Sequence, residues 1–253
     1  MSVSIKSASE IRKMRESCRL LEQVFRHLAA MIEPGISTWE IDREGEKEIR
    51  ACGGVPNFLN YMGYPASICT SVNSEVVHGI PKKETILKEG DIISLDAGLI
   101  YDNYHSDMAR TFAVGTITPE AQKLIDVTRQ CFFEGMRYAR AGCHLHEMSA
   151  AIEAYAESFG YGVVRDLTGH GIGTRLHEDP EVPNFTPHGR GIRLKAGMTL
   201  AVEPMINAGT WEVEWLDDDW TVVTADGSLA AHYENTILIT DGEPEILTLS
   251  EES

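Results

Sequence analysis

The chain has 253 residues, 39 of them acidic against 22 basic, for a formal charge of −17. That balance argues against a general nucleic-acid binder or an anionic-membrane binder, both of which need clustered Lys and Arg. At 43% hydrophobic residues the chain reads as folded rather than disordered, and no stretch approaches the ~20 apolar residues of a membrane span. Met1 to Ser7 has no signal-peptide apolar region. Five cysteines without a CxxC fit reduced thiols in a cytoplasm better than a disulfide framework or a zinc knuckle. The acid surplus has two readings, a solvating surface or a gathering of carboxylates around cations.

Along the chain, Ser7-x-x-Glu10 is a capping box. Ile11, Met14, Cys18, Leu21, Phe25, Leu28 and Ile32 then recur at alternating steps of three and four, the apolar stripe of a helix that Pro34-Gly35 ends. A second box, Ser37-x-x-Glu40, opens a helix that stops near Gly53-Gly54. Ile92 to Ile100 is an apolar strand interrupted by Asp96, and Arg110 to Val114 reads as the next strand. Thr118-Pro119-Glu120, as cap, first-turn proline and acid, opens a helix to about Arg140 that carries Cys131 and Met136 on its core face. A fourth helix runs to about Phe159. Met198 to Ile206 is an apolar run interrupted by Glu203, and Trp220 to Thr224 and Glu234 to Thr240 read as further strands.

These segments repeat. Gly35 and Gly53 match Gly142 and Gly160 at an offset of 107 residues, and Leu87-Lys88-Glu89-Gly90 matches Leu194-Lys195-Ala196-Gly197 at the same offset. Six residues past each of the last glycines stands an acid, Asp96 and then Glu203. Between these anchors His78-Gly79-Ile80 pairs with His170-Gly171-Ile172. We read two related α/β halves, roughly 7–115 and 118–249, forming one domain over 1–253 with a shared site between them.

A lone strand carboxylate is usually a surface residue; symmetric placement in both halves reverses that for Asp96 and Glu203. Asp107 and Glu234 each open the strand that follows their half's first acid. Two carboxylates ~4 Å apart repel by about 4 kcal/mol at an effective dielectric of 20. Arg110 is the one basic residue close to them in sequence, so protonation or divalent cations must relieve the repulsion. Four carboxylates with His170 make a hard, oxygen-rich donor set suited to Mn, Fe, Co or Zn. Two such ions would bring the charge from −17 to −13, leaving the remaining excess, including Asp217-Asp218-Asp219 and Glu251-Glu252, as solvating surface. His27, His105, His144, His146 and His188 have no partner pattern and read as structural. HExxH, GxSxG and GxxxxGK[ST] are absent.

The order Asp96, Asp107, His170, Glu203, Glu234 resembles the ligand order of the dinuclear pita-bread metallohydrolases. Ser71 to Pro81, Gly169 to Gly173 and Val202-Glu203-Pro204-Met205 are similar to the signatures of the type I methionine aminopeptidases. The resemblance implies an α/β (α+β) pita-bread fold, two pseudo-symmetric halves around a central curved antiparallel sheet. It implies two divalent ions held by those five residues, and a metal-bridging hydroxide that attacks the first peptide carbonyl. Glu203 would be the general base, His177 would stabilise the oxyanion and His78 would contact the amide of the second residue or the leaving nitrogen. Phe58, Tyr61, Tyr64, Cys69, Leu176 and Trp220 would line the methionine pocket. Phe58 stands where a cysteine is frequent and Leu176 where an aromatic is frequent, and His232-Tyr233-Glu234-Asn235 departs from the usual Gln-x-Glu-His. The expected substrates are nascent polypeptide N-termini whose second residue is small, met by a monomeric cytoplasmic enzyme in transient encounter with the ribosome, without direct nucleic-acid or membrane binding. Two alternatives stay open: an exopeptidase that cleaves before proline on the same fold, and a pita-bread binding module without catalysis. The 31 residues between Glu203 and Glu234 leave no room for the helical insertion of type II enzymes, and the expectation is a chain without the extra N-terminal domain of the related proline dipeptidases.

Overall fold

The computed structural model describes residues 3–249, so Met1-Ser2 and the acidic Glu251-Glu252 lie outside the described residues. The first half opens with α1 (Ala8–Ala29) and α2 (Thr38–Ala51), each started by the capping box its sequence announces. Then come β1 (Val55–Pro56), β2 (Ile68–Val72), β3 (Glu75–Val77), β4 (Ile92–Tyr101) and β5 (Tyr104–Ala113). The second half repeats the plan with α3 (Pro119–Met136), α4 (Leu145–Glu157), β6 (Gly162–Val163), β7 (Gly169–Gly171) and β8 (Glu178–Val182). It continues through β9 (Thr199–Val202), β10 (Met205–Asn207), β11 (Val213–Trp215), β12 (Val222–Thr224), β13 (Ala230–His232), β14 (Glu234–Leu238) and β15 (Glu245–Ile246).

A nine-stranded antiparallel sheet joins the halves in the order β1-β4-β5-β14-β9-β7-β8, with β2 on β4 and β15 on β14. Two smaller sheets, β13-β10-β6 and β11-β12-β3, close one side. Strand alternation decides which side chains meet the helices. Ile93, Leu95, Ala97 and Leu99 of β4 pack with Leu21, Phe25, Leu28, Ile41 and Ile49 of α1 and α2. Leu200 and Val202 of β9 and Ile237 of β14 pack with Cys131, Phe132, Met148 and Ile152 of α3 and α4. Each fully buried Val, Leu, Ile, Phe or Met side chain among them contributes roughly 1.5–3 kcal/mol. The intervening residues of the same strands, Asp96 among them, point to the opposite face.

Three elements depart from the sequence expectation. β5 starts at Tyr104, six residues before Arg110, because Asp102 and Asn103 both adopt positive φ (48° and 66°) and make a two-residue hairpin with Tyr101 opposite Tyr104. Asp107 therefore lies inside its strand rather than at the start. α3 ends at Met136 instead of near Arg140, and the Gly135 carbonyl accepts from the N–H of the cap residue Arg137. The run from Met198 to Ile206 is two strands: β9 stays in the large sheet, and β10 pairs with β13 and β6. Pro204, which has no N–H to continue a ladder, stands at the break.

Candidate active site

Register places the acids. Across β4, β5 and β14, Asp96 is opposite Ala109, and Ala109 is opposite Glu234. Asp107 lies two residues before Ala109, on the same face. The β14–β9 ladder ends at Asn235 opposite Val202, so its register sets Glu203 opposite Glu234 one residue beyond. His170 pairs with Ala201, which is itself opposite Thr236 of β14. The small methyl of Ala109 leaves the middle of this row to the carboxylates.

All of these groups are withdrawn from water: Asp96 is 9% exposed, Asp107 3% and Glu234 2%. Burial pushes the Asp96 carboxyl up to about 7. Burial, with the neighbouring carboxylates adding to it, pushes Asp107, Glu203 and Glu234 well above the ordinary carboxylate range. Among the described residues no Lys or Arg forms an ion pair with them, and the charge of Arg110 only partly offsets the rise at Glu234. The Arg110 guanidinium lies alongside but donates to the backbone carbonyls of Ala109 and Glu234 and to Asn235 Oδ1, and stacks on Tyr233. Oδ1 of Asp96 and Oδ1 of Asp107 have no hydrogen-bond partner among the described residues. Asp107, His170 and Glu234 offer ligand atoms within 4.8 Å of one another. His170 Nε2 lies 3.8 Å from both Asp107 Oδ2 and Glu203 Oε1. Its Nδ1 is 2.9 Å from the Gly171 carbonyl, which can only accept, so Nδ1 carries the hydrogen and Nε2 presents a lone pair. Crowded carboxylates with orphaned oxygens and an oriented imidazole fit divalent metal.

This polar centre forms the floor of a cavity of about 550 Å³. Phe58, Tyr61, Tyr64, Cys69, Leu176 and Trp220 line its walls, as do His78 and His177. Tyr64 is held by donating its hydroxyl to the Gly79 carbonyl at 2.9 Å and meets Trp220 edge-on. Asp218, read from sequence as solvating surface, has a structural use: it accepts from the backbone N–H groups of Trp220 and Thr221 and from the Thr221 hydroxyl. It thereby shapes the turn that presents Trp220. His78 has φ of 59°, which swings its ring off the end of β3 towards Trp220. Burial lowers it to about 4, so it is neutral near pH 7. His177 stands at the mouth, edge-on to His170, with the Tyr61 hydroxyl 2.7 Å from its Nδ1. Burial lowers the His177 imidazole and raises the Tyr61 phenol, so both are neutral.

Residues 12–241 match the model of metallopeptidase family M24. The chain belongs to that family. It is 53% identical over 249 residues to a methionine aminopeptidase of Clostridium acetobutylicum, covering 98% of this chain and 100% of the relative. The crystal structure of the methionine aminopeptidase from Thermotoga maritima superposes with a TM-score of 0.96 at 41% identity, covering 98% of this chain and 100% of that one. An Xaa-Pro dipeptidase from Bacillus anthracis superposes at 0.79 with 27% identity, and this chain covers 62% of it. The fold is the pita-bread arrangement of these family M24 proteins.

Of the four departures in the sequence, Phe58 and Leu176 face the cavity. Asn235 turns to the opposite face, where its Oδ1 accepts from Arg110 and Thr248. His232 lies against Glu203, with Nε2 3.8 Å from Oε2. Sequence reasoning named no role for it, nor for Met205 and Leu167, which also line the cavity. The unusual histidine two residues before Glu234 was the available signal.

Proposed function

We propose that this chain is a cytoplasmic metalloaminopeptidase that removes the initiator methionine from nascent polypeptides whose second residue is small. One observation carries the reading. A buried row of carboxylates with an oriented imidazole forms the floor of a pocket walled by Phe58, Tyr64, Cys69, Leu176 and Trp220. Apolar and aromatic walls suit a polarisable thioether. The full-length similarity to methionine aminopeptidases supports the same substrate.

The proposed ligands are Asp96, Asp107, His170, Glu203 and Glu234, and divalent ions held there, two in the full arrangement, would polarise the scissile carbonyl and bring a water's pKa towards neutrality. Glu203, at the break between β9 and β10, takes the water's proton and returns it to the leaving nitrogen. Tyr61 donates its hydroxyl hydrogen to His177 Nδ1, which leaves Nε2–H free to donate to the developing oxyanion. Neutral His78 is a donor or acceptor for the amide of the second residue. Tyr61 and Trp220 flank the mouth and keep water off these groups.

Protein loaded in turn with Mn, Co, Fe or Zn and given Met-Ala-Ser should release free methionine. No release with any of the four would sink the reading, and a faster reaction on an X-Pro-Y peptide would replace it with cleavage before proline.

A further inference from the structure

His232 is the most deeply buried imidazole beside the site, 1% exposed, and neither ring nitrogen has a hydrogen-bond partner among the described residues. A buried donor and acceptor left unmatched is costly, and native structures tolerate it mainly where a working contact completes it. The chain has also gone to some length to hold this residue still. The Thr111 hydroxyl accepts from the His232 N–H at 2.8 Å and donates to the His232 carbonyl at 3.0 Å. Ser94 Oγ, 2.8 Å from Thr111 Oγ1, supplies the remaining hydrogen bond to that hydroxyl. On its other side β13 pairs with β10, placing His232 opposite Met205, two residues beyond Glu203.

The ring therefore points at Glu203 from a backbone fixed on both sides. His232 Nε2 is 3.8 Å from Glu203 Oε2, just as His170 Nε2 is 3.8 Å from Oε1. Each oxygen of one carboxylate faces its own imidazole. Arg110 and His78 also face His232; a guanidinium has no acceptor to offer. Glu203 Oε2 is the carboxylate oxygen facing its Nε2, and a sub-ångström adjustment of the glutamate brings the pair to hydrogen-bond length.

We propose that His232 is a positioning residue for Glu203: Nε2–H donates to Oε2 and so sets which lone pairs of the carboxylate face the cleft. The inference rests on the metalloaminopeptidase reading for its kinetic consequence, though the contact itself does not. Groups that orient a ligand carboxylate typically matter by 10- to 100-fold.

The test uses His232→Leu, which removes the donor at similar bulk, and His232→Gln, whose terminal amide restores an N–H donor. Both would be followed by steady-state kinetics on Met-Ala-Ser, by calorimetric titration with Mn(II) and by thermal melting. His232→Leu should lower kcat about 10- to 100-fold with KM within about threefold, and should weaken Mn(II) binding about tenfold. His232→Gln should return both kcat and Mn(II) affinity to within about fivefold of the parent. Parental kcat and affinity in His232→Leu would overturn the proposal, as would a His232→Gln protein no better than the leucine variant. Should His232→Leu fail to melt cooperatively, His232→Asn replaces it: the shorter amide cannot reach Glu203, so it should behave as a loss where Gln does not, and equal behaviour of the two would overturn the proposal. If the parent releases no methionine with any metal, the peptidase reading fails, and the Mn(II) titrations of the same variants still decide the contact to Glu203.

Discussion

Asp96 and Glu203 occupy equivalent places in the two halves, yet their strands differ. β4 runs unbroken for ten residues and is paired on both sides, by β2 and by β5, so Asp96 sits in a rigid ladder. β9 ends one residue before Glu203, and the chain crosses to another sheet at Pro204. The Glu203 carbonyl is satisfied by the Asn184 side chain at 2.9 Å and the Pro204 carbonyl by the Tyr233 N–H, in place of regular ladder partners. The His-Gly-Ile pair diverges likewise. His170 lies in β7 within the large sheet, whereas His78 leaves β3 with positive φ and faces the substrate cavity. A Cβ on Gly79 would collide with the Thr70 carbonyl, so that departure needs glycine. One ancestral pattern has thus yielded a fixed acid in the first half, and in the second a carboxylate at a joint, where a proton carrier can adjust.

The largest effect should come from removing either acid. Asp96→Asn and Glu203→Gln should each lower kcat/KM on Met-Ala-Ser by about 10³-fold or more. The two should differ in kind: Asp96→Asn by lost Mn(II) binding in calorimetry, Glu203→Gln mainly by kcat. Indistinguishable profiles would break the contrast between fixed acid and joint.

A second prediction concerns what locks the halves together. The N-terminal strap donates Lys6 N–H to the Gly197 carbonyl at 2.8 Å, and Lys6 Nζ lies 2.6 Å from Glu178 Oε2, the side chains 3% and 7% exposed. Glu178 also accepts from the Arg175 N–H at 3.2 Å and so steadies the loop that carries His177. Lys6→Met leaves a buried carboxylate without its partner and should cost about 3–5 kcal/mol in denaturant unfolding, with Lys6→Met/Glu178→Gln recovering part of it. A cost under about 1 kcal/mol would show that the halves hold together without the strap.

The smallest effect is on pH. In metal-free protein Asp96 keeps its proton to about pH 7, and burial holds Asp107, Glu203 and Glu234 well above the ordinary carboxylate range, whereas the unfolded chain has lost these protons by about pH 5. Where the folded state binds more protons, stability falls as pH rises. The buried imidazoles, His78 at about 4 and His170 and His232 at about 3, act oppositely, but only up to the ordinary histidine range near ~6.5. The melting temperature of metal-free protein should therefore fall as pH rises through about 7, where Asp96 gives up its proton. Protein loaded with Mn(II) should resist that fall, because deprotonated ligands bind metal more tightly. Parallel curves with and without metal would show that the carboxylates are not the source.

Helix starts, the internal repeat and the acid-bearing strands were legible because each is written locally, in capping residues, in glycine spacing and in single carboxylates within apolar runs. The first strand residues of β5 were not, since Tyr104-His105-Ser106-Asp107 reads as polar loop until the Asp102-Asn103 hairpin folds it back on β4. The resemblance that named the site residues rested on the same local runs, and the cavity brings all of them together. What the tertiary structure alone decided is the joint at Glu203-Pro204 and the approach of His232 to Glu203 across 29 positions of chain. Those follow from where two sheets meet, and a meeting between sheets leaves no periodicity in either strand.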